Sequence, residues 1–414
     1  MIKDSRFLDR NTAPHIATLV IITGAGALNL NILLPSLPGI AREFGVSYTY
    51  AQLLISAYLG VTALVQLIIG PLSDRFGRRP VLIASMWVFV IATVASMLAP
   101  NFQVLLAARI IQTAVISGLA LSRAIVRDMV DTDKAASMIG YITMGMALVP
   151  MIGPMIGGVL DEIYGWRAAM GISLVFGVFV LVLVYLDLGE TNLHRSASFG
   201  AQFRAYPELV RSRRFWGYAL SAAFTSGSFF AFLGGAPYVS IEFLGLTPSE
   251  VGLYFAFTAI GYLIGNFLSG RYSQRFGINN MMLAGNIATS LGMVGSIATF
   301  SIGIDHALAF FGFMLFVGLG NGISLPNANA GLVSVRPHLA GSASGLGGAL
   351  MIGGGAALSV LSGAMLSAQT GPYPLLYIML LSAIAGVATA LYVIYIARQV
   401  AMQAVKSVVE PASE

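Results

Sequence analysis

The chain is poor in charge. Of its 414 residues only 9% are Asp, Glu, Lys or Arg, against 57% that are hydrophobic. A water-soluble domain carries about 25% charged residues, so most of this chain must be surrounded by lipid. Cysteine is absent, which excludes disulfides and thiolate metal sites. Histidine is scarce, and His15, His194, His306 and His338 lie too far apart for a metal-ligand spacing. The three lysines never follow a glycine, so the run "GLGGALMIGGGAA" (345–357) lacks the Lys-Ser or Lys-Thr end of a phosphate-binding loop. Nucleotide binding and direct ATP drive go with it, and no cofactor is expected. No nucleophile–base pair or metal constellation stands at usable spacing, which argues against an enzyme. No cleavable leader is expected either, because "MIKDSRFLDR" runs directly into an apolar stretch of spanning length.

Long apolar runs are what the chain has in abundance. A bilayer core takes about 20 apolar residues per helix. Twelve such runs centre near 14–38, 51–72, 80–99, 103–123, 136–160, 167–187, 215–238, 250–271, 280–301, 307–332, 340–367 and 375–397. The expected fold is therefore an all-α integral membrane protein of 12 transmembrane helices. With both termini placed in the cytoplasm, 19 of the 22 basic residues fall in inner segments. The outer loops keep Arg42 and Arg167, and Arg109 lies inside a span. Such asymmetry is the positive-inside pattern, and it explains the net charge of +5 without nucleic acid.

The chain also repeats itself. "GPLSDRFG" (70–77) recurs as "GRYSQRFG" (270–277), and "FGVS" (44–47) faces "LGLT" (244–247), both at an offset of 200 residues. Two pseudo-symmetric six-helix bundles follow: residues 1–187, a basic cytoplasmic linker over 188–214, and residues 215–414 with a short cytoplasmic tail. Transporters are built from such repeats.

Three stretches carry chemistry. "GPLSDRFGRRP" (70–80) joins the second and third spans, with Gly70 suited to close helix approach and Asp74, Arg75, Gly77, Arg78 and Arg79 forming a charged turn. It reads as a latch between the halves, with Asp74 expected to meet Arg123 or Arg127 of span four and the N-terminus of span eleven. "PMIGPMIGGVL" (150–160) packs Gly153, Gly157 and Gly158 around Pro154, a pattern that lets membrane helices touch and bend. Arg109 is the third. A central arginine costs a few kcal/mol, and Gln112 on the same helix face favours a polar cavity over snorkelling to the interface.

The loop at 70–80 resembles the signature of the major facilitator superfamily, complete in the first half and degraded in the second, where Gln274 replaces the acid. "RIIQ" (109–112), "RAIVRDMV" (123–130), "GPMIGG" (153–158), "GWRA" (165–168), "GLTPSEVGLYFA" (245–256) and "RPHLAGSASGL" (336–346) are similar to the bicyclomycin/chloramphenicol resistance group of drug:proton antiporters. The resemblance covers nearly the whole chain. It implies the major facilitator fold, a bacterial inner-membrane location, a monomer working on a small-molecule substrate, a proton gradient as energy source, and an antiporter motif over Gly153–Gly158. It also implies a central-cavity, coupling role for Arg109 and Gln112.

Further cavity candidates are Asn29, Asn31, Phe230, Tyr238, Tyr254, Asn327 and Asn329. Asn29 and Asn31 stand about 200° apart on a helix and cannot share a face. One is expected at the cavity and the other on a neighbouring helix. Asn31 occupies the position where the resembled group commonly carries aspartate. Arg109 is then the only deep charge, so a neutral-to-positive cavity preferring neutral or anionic amphiphiles, phenicol-like ones for example, is expected. A proton-independent facilitator or importer, and a non-transporting membrane receptor, stay open as alternatives.

Overall fold

Prolines and glycines set where the helices of this chain bend and stop. The computed structural model describes residues 7–129, 138, 142, 149–192, 206–336, 339–367 and 369–409. Every regular element among them is helical. We number the spans in chain order. Spans one to four are Ile16–Phe44, Tyr48–Phe76, Arg78–Met97 and Phe102–Val126. Span five is described over Val149–Tyr164, and span six is Trp166–Asp187. Spans seven to ten are Arg213–Phe243, Pro248–Phe276, Ile278–Ser301 and Ala307–Ser334. Span eleven is Ala340–Met365 and span twelve belongs to the helix Tyr373–Val409. Eleven of these are long and apolar enough to cross a membrane. The expected range of the remaining one, span five, begins outside the described residues, as does most of the linker, 193–205.

Span one shows how the sequence writes its bends. Its regular helix ends at Asn31, because Pro35 has no N–H to give the Asn31 carbonyl. One turn of 3-10 helix, Leu34–Ser36, re-aims the chain into the short helix Leu37–Phe44. Span four likewise tightens into 3-10 geometry over Gln112–Ile116, directly after Arg109. Span seven, carrying Pro237, finishes in a π-turn over Val239–Phe243.

The repeat is visible in the backbone. Gly45 and Gly245 share positive φ values of 62° and 69°, and Gly77 and Gly277 share 101° and 81°. These are regions that side chains resist, so glycine recurs at both ends of spans two and eight. The core divides accordingly. One apolar cluster on the N-terminal half (Leu19, Ile22, Leu82, Met86, Ile125) and another on the C-terminal half (Phe215, Tyr218, Leu332, Val393) are separate near the end that carries the Arg75–Arg79 loop. At the opposite end a single cluster joins both halves, from Ile32 and Ile55 to Phe232, Phe255 and Leu375. The halves are thus closed on each other at the end away from the basic loop.

Candidate functional site

Arg109 is fully buried, so it does not snorkel. Its guanidinium donates from Nη1 to Asn29 Oδ1 (2.9 Å) and Gln112 Oε1 (3.0 Å), from Nη2 to the Asn29 carbonyl (2.7 Å), and from Nε to the Leu54 carbonyl (3.2 Å). The Tyr58 ring lies 4.6 Å below it, within cation–π range. Asn29 Nδ2 donates to Tyr58 Oη at 3.3 Å, and Gln112 Nε2 to Thr93 Oγ1 at 2.9 Å. Spans one to four thus meet in one polar cluster in the interior of the N-terminal half. Among the described residues every acceptor of the cation is neutral, so the formal positive charge is held there by dipoles and a π-face.

The structure separates the two asparagines. Asn29 belongs to this cluster. Asn31 lies on the face toward span five, 3.2 Å from where a Cβ on Gly153 would stand. Its Nδ2 donates to the Ala27 carbonyl of its own helix at 2.7 Å, and its buried Oδ1 has no donor among the described residues. Tyr58 and Thr93 complete the cluster, and sequence reading did not single them out. An aromatic and a hydroxyl in apolar helices are common, and only the fold shows that Tyr58 lies under Arg109 and that Thr93 answers Gln112.

Other candidates go elsewhere. Asn327 is buried and bonds Ser269 Oγ at 2.9 Å and the Ile323 carbonyl, which fastens span ten to span eight. Asn329 is exposed. Tyr254 stacks on Phe311 with centroids 5.0 Å apart. Phe230 stands over Gly355 of span eleven, where a Cβ would overlap its ring. Tyr238 packs against Tyr48 at 4.9 Å and lines a cleft of about 310 Å³ at the closed end, with Arg42 on one wall and Glu242 on the other. Among the described contacts the candidates thus fall into a buried cluster, packing contacts and a cleft.

In the Asp74 loop, Arg78 is the hub. It pairs with Asp74 at 2.5 Å and with Asp128 of the span-four helix at 3.0 Å, and bonds Ser73 Oγ at 2.5 Å. Span four reaches the loop through an acid here. Arg123 is half-buried within electrostatic reach of Tyr262 of span eight, and the side chain of Arg127 lies outside the described residues. Arg75 and Arg79 lie over the rings of Phe76 and Tyr185. Glu190, just past span six, caps span three: its oxygens accept from the Arg78 N–H at 2.9 Å and the Arg79 N–H at 3.3 Å. A carboxylate at a helix N-terminus is favourable. Asn192 adds a bond to the Asp74 carbonyl at 3.0 Å. Glu190 stands 112 residues from Arg78 in sequence, so no local pattern announces it. The expectation for Gly70 needs correction. No described residue lies within 4 Å of a Cβ built there, whereas one at Gly77 would overlap Glu190.

The glycine–proline motif of span five sits at the seam between the halves. A Cβ on Gly157 would overlap the Ile32 carbonyl of span one, and one on Gly158 the Pro248 carbonyl of span eight. From the other side, a Cβ on Gly252 would overlap the Pro154 carbonyl. Two helices from opposite halves touch here backbone to backbone.

This geometry, two six-helix halves meeting at a seam with a charged loop at one end, agrees with the comparisons. A model described as "Major Facilitator Superfamily" matches residues 19–359 and 232–408. The chain belongs to the major facilitator superfamily. An "Uncharacterized MFS-type transporter YdgK" of Bacillus subtilis is 31% identical over 87% of this chain and 90% of its own length. A "Chloramphenicol resistance protein" of Pseudomonas aeruginosa is 29% identical over 78% of each. Among solved structures, a bacterial homologue of the human lysosomal transporter Spinster, titled as inward-facing and occupied, aligns at a TM-score of 0.69 and 17% identity over 92% of this chain and 96% of its own. Within the superfamily the chain falls with the bicyclomycin/chloramphenicol resistance group. It is a transport protein of the membrane and not an enzyme.

Proposed function

We propose that this transporter exports small amphiphilic molecules across the bacterial inner membrane by alternating access, driven by inward proton flow, as a monomer. In this reading the Asp74 loop and both termini face the cytoplasm, where 19 of 22 basic residues then lie, and the seam closes the outer side. The observation that carries the cargo preference is Arg109, a buried cation whose partners among the described residues are all neutral. An uncompensated positive charge in a low-dielectric interior attracts anions and electron-rich dipoles and repels cations. Neutral or anionic cargo, phenicol-like molecules among them, is favoured. The name of the Pseudomonas relative supports the same class.

A second reading, a proton-independent facilitator, is favoured by one feature: the position commonly held by aspartate is Asn31, whose amide cannot titrate. Everted vesicles with an acid interior separate the two. Neutral phenicols, anionic amphiphiles and cationic dyes are added in turn. Collapse of the gradient with the first two classes, lost in Arg109→Ala, is expected for the antiporter. Labelled phenicol crossing with the gradient intact would establish the facilitator.

A further inference from the structure

Gln52 stands at the first turn of span two and is 1% exposed, yet it belongs to no part of the Arg109 cluster. Its side chain crosses from the N-terminal half into a notch of the C-terminal half. Nε2 donates to the Ser359 carbonyl and, at 2.9 Å, to Ser359 Oγ. The notch exists because two glycines leave room for it. A Cβ on Gly234 of span seven would overlap Nε2, and a Cβ on Gly363 of span eleven would overlap Oε1. The same two glycines offer their carbonyls to the preceding turn of the N-terminal half. Tyr48 Oη donates to the Gly234 carbonyl at 2.7 Å, and Thr49 Oγ1 to the Gly363 carbonyl at 3.3 Å. Five residues of one half thus place three side chains on the backbone of the other.

We infer that Gln52 is the latch of the gate at the closed end, a positioning residue that sets how often this end opens during transport. The inference rests on the alternating-access reading above. Two features mark a latch and not permanent packing. Among the described residues the buried Oε1 has no donor, and an orphaned acceptor carries a desolvation cost, so the closed state is held below its attainable strength. The symmetry-related contact is also built differently. At the offset of 200 residues Gln52 corresponds to Gly252, which meets span five with backbone alone. One side of the gate has three side chains bonded across it in buried or half-buried positions, whereas the other carries an exposed bond from Ser249 Oγ to Glu162 Oε2.

The natural absence of cysteine makes the test direct. Spin labels at Leu98→Cys and Ile302→Cys, 75% and 74% exposed at the closed end of the two halves, report their separation by double electron–electron resonance in the full chain in nanodiscs. Gln52→Leu removes the donors. Gly363→Ala leaves the glutamine in place but fills its notch, and so serves should the first variant fail to fold. Each is expected to raise the long-distance population at least tenfold over the parent, and the double variant no further. The KM for substrate entering at the basic end should rise in step, because the competent state is less populated. Unchanged populations in both single variants, in a parent that does sample two distances, would overturn the latch alone. A parent with one distance at every pH and substrate condition would overturn the alternating-access reading together with the latch.

Discussion

Arg109 donates to four oxygens, none of them charged, and the fork geometry of a guanidinium is what lets one side chain reach carbonyls on spans one and two together with amides on one and four. A lysine keeps the charge but presents a single point. Arg109→Lys, with three donors at one point, is therefore expected to leave at least one of the four acceptors without a donor, at about 1–3 kcal/mol. We expect flux of a neutral phenicol into vesicles to fall more than tenfold in this variant. Retention of flux would mean that charge alone suffices there. That Arg109 matters was legible in the sequence, because a deep cation is costly wherever it lies. Its partners were only half legible: Gln112 follows on the same helix face, whereas Asn29, Leu54 and Tyr58 arrive from other spans.

Span five shows what an element contributes. Its glycines are packed against carbonyls of spans one and eight, and membrane interiors at native density have no room for an added methyl. Gly157→Ala is expected to destabilise the protein by about 1–3 kcal/mol, the usual cost of overpacking, read as a lower melting temperature in detergent. Gly70→Ala is the matched control. It lies in a helix with no described residue within 4 Å of the new Cβ, and alanine is the better helix former by about 1 kcal/mol, so no loss is expected. A glycine's sequence context did not distinguish the two. Both sit in apolar helices within signature motifs, and only the neighbour across the gap tells a tight glycine from a free one.

For the whole molecule, separate clusters at the basic end and one shared cluster at the other mean that the conformation described here opens, if at all, toward the basic loop. The proposed orientation in the bilayer rests on charge. A single cysteine replacing Tyr50, 61% exposed at the closed end, should react with an impermeant maleimide in intact cells. One replacing Tyr272, 37% exposed on the basic-loop side, should react only after permeabilisation. The reverse pattern would invert the topology and with it the proposed direction of export.

The sequence by itself determined the solvent, the number of crossings and the repeat. Too few charges, runs of about 20 apolar residues and recurring glycines are each local, so they can be read without neighbours. It also located Arg109, because burying a cation is expensive whichever helices surround it. The tertiary structure decided which groups answer that cation, that Glu190 and not a residue of the loop caps span three, and that Gln52 crosses the seam. Each of those is a contact between segments tens to hundreds of residues apart, and a hydrogen bond has a direction in space that residue order alone does not encode.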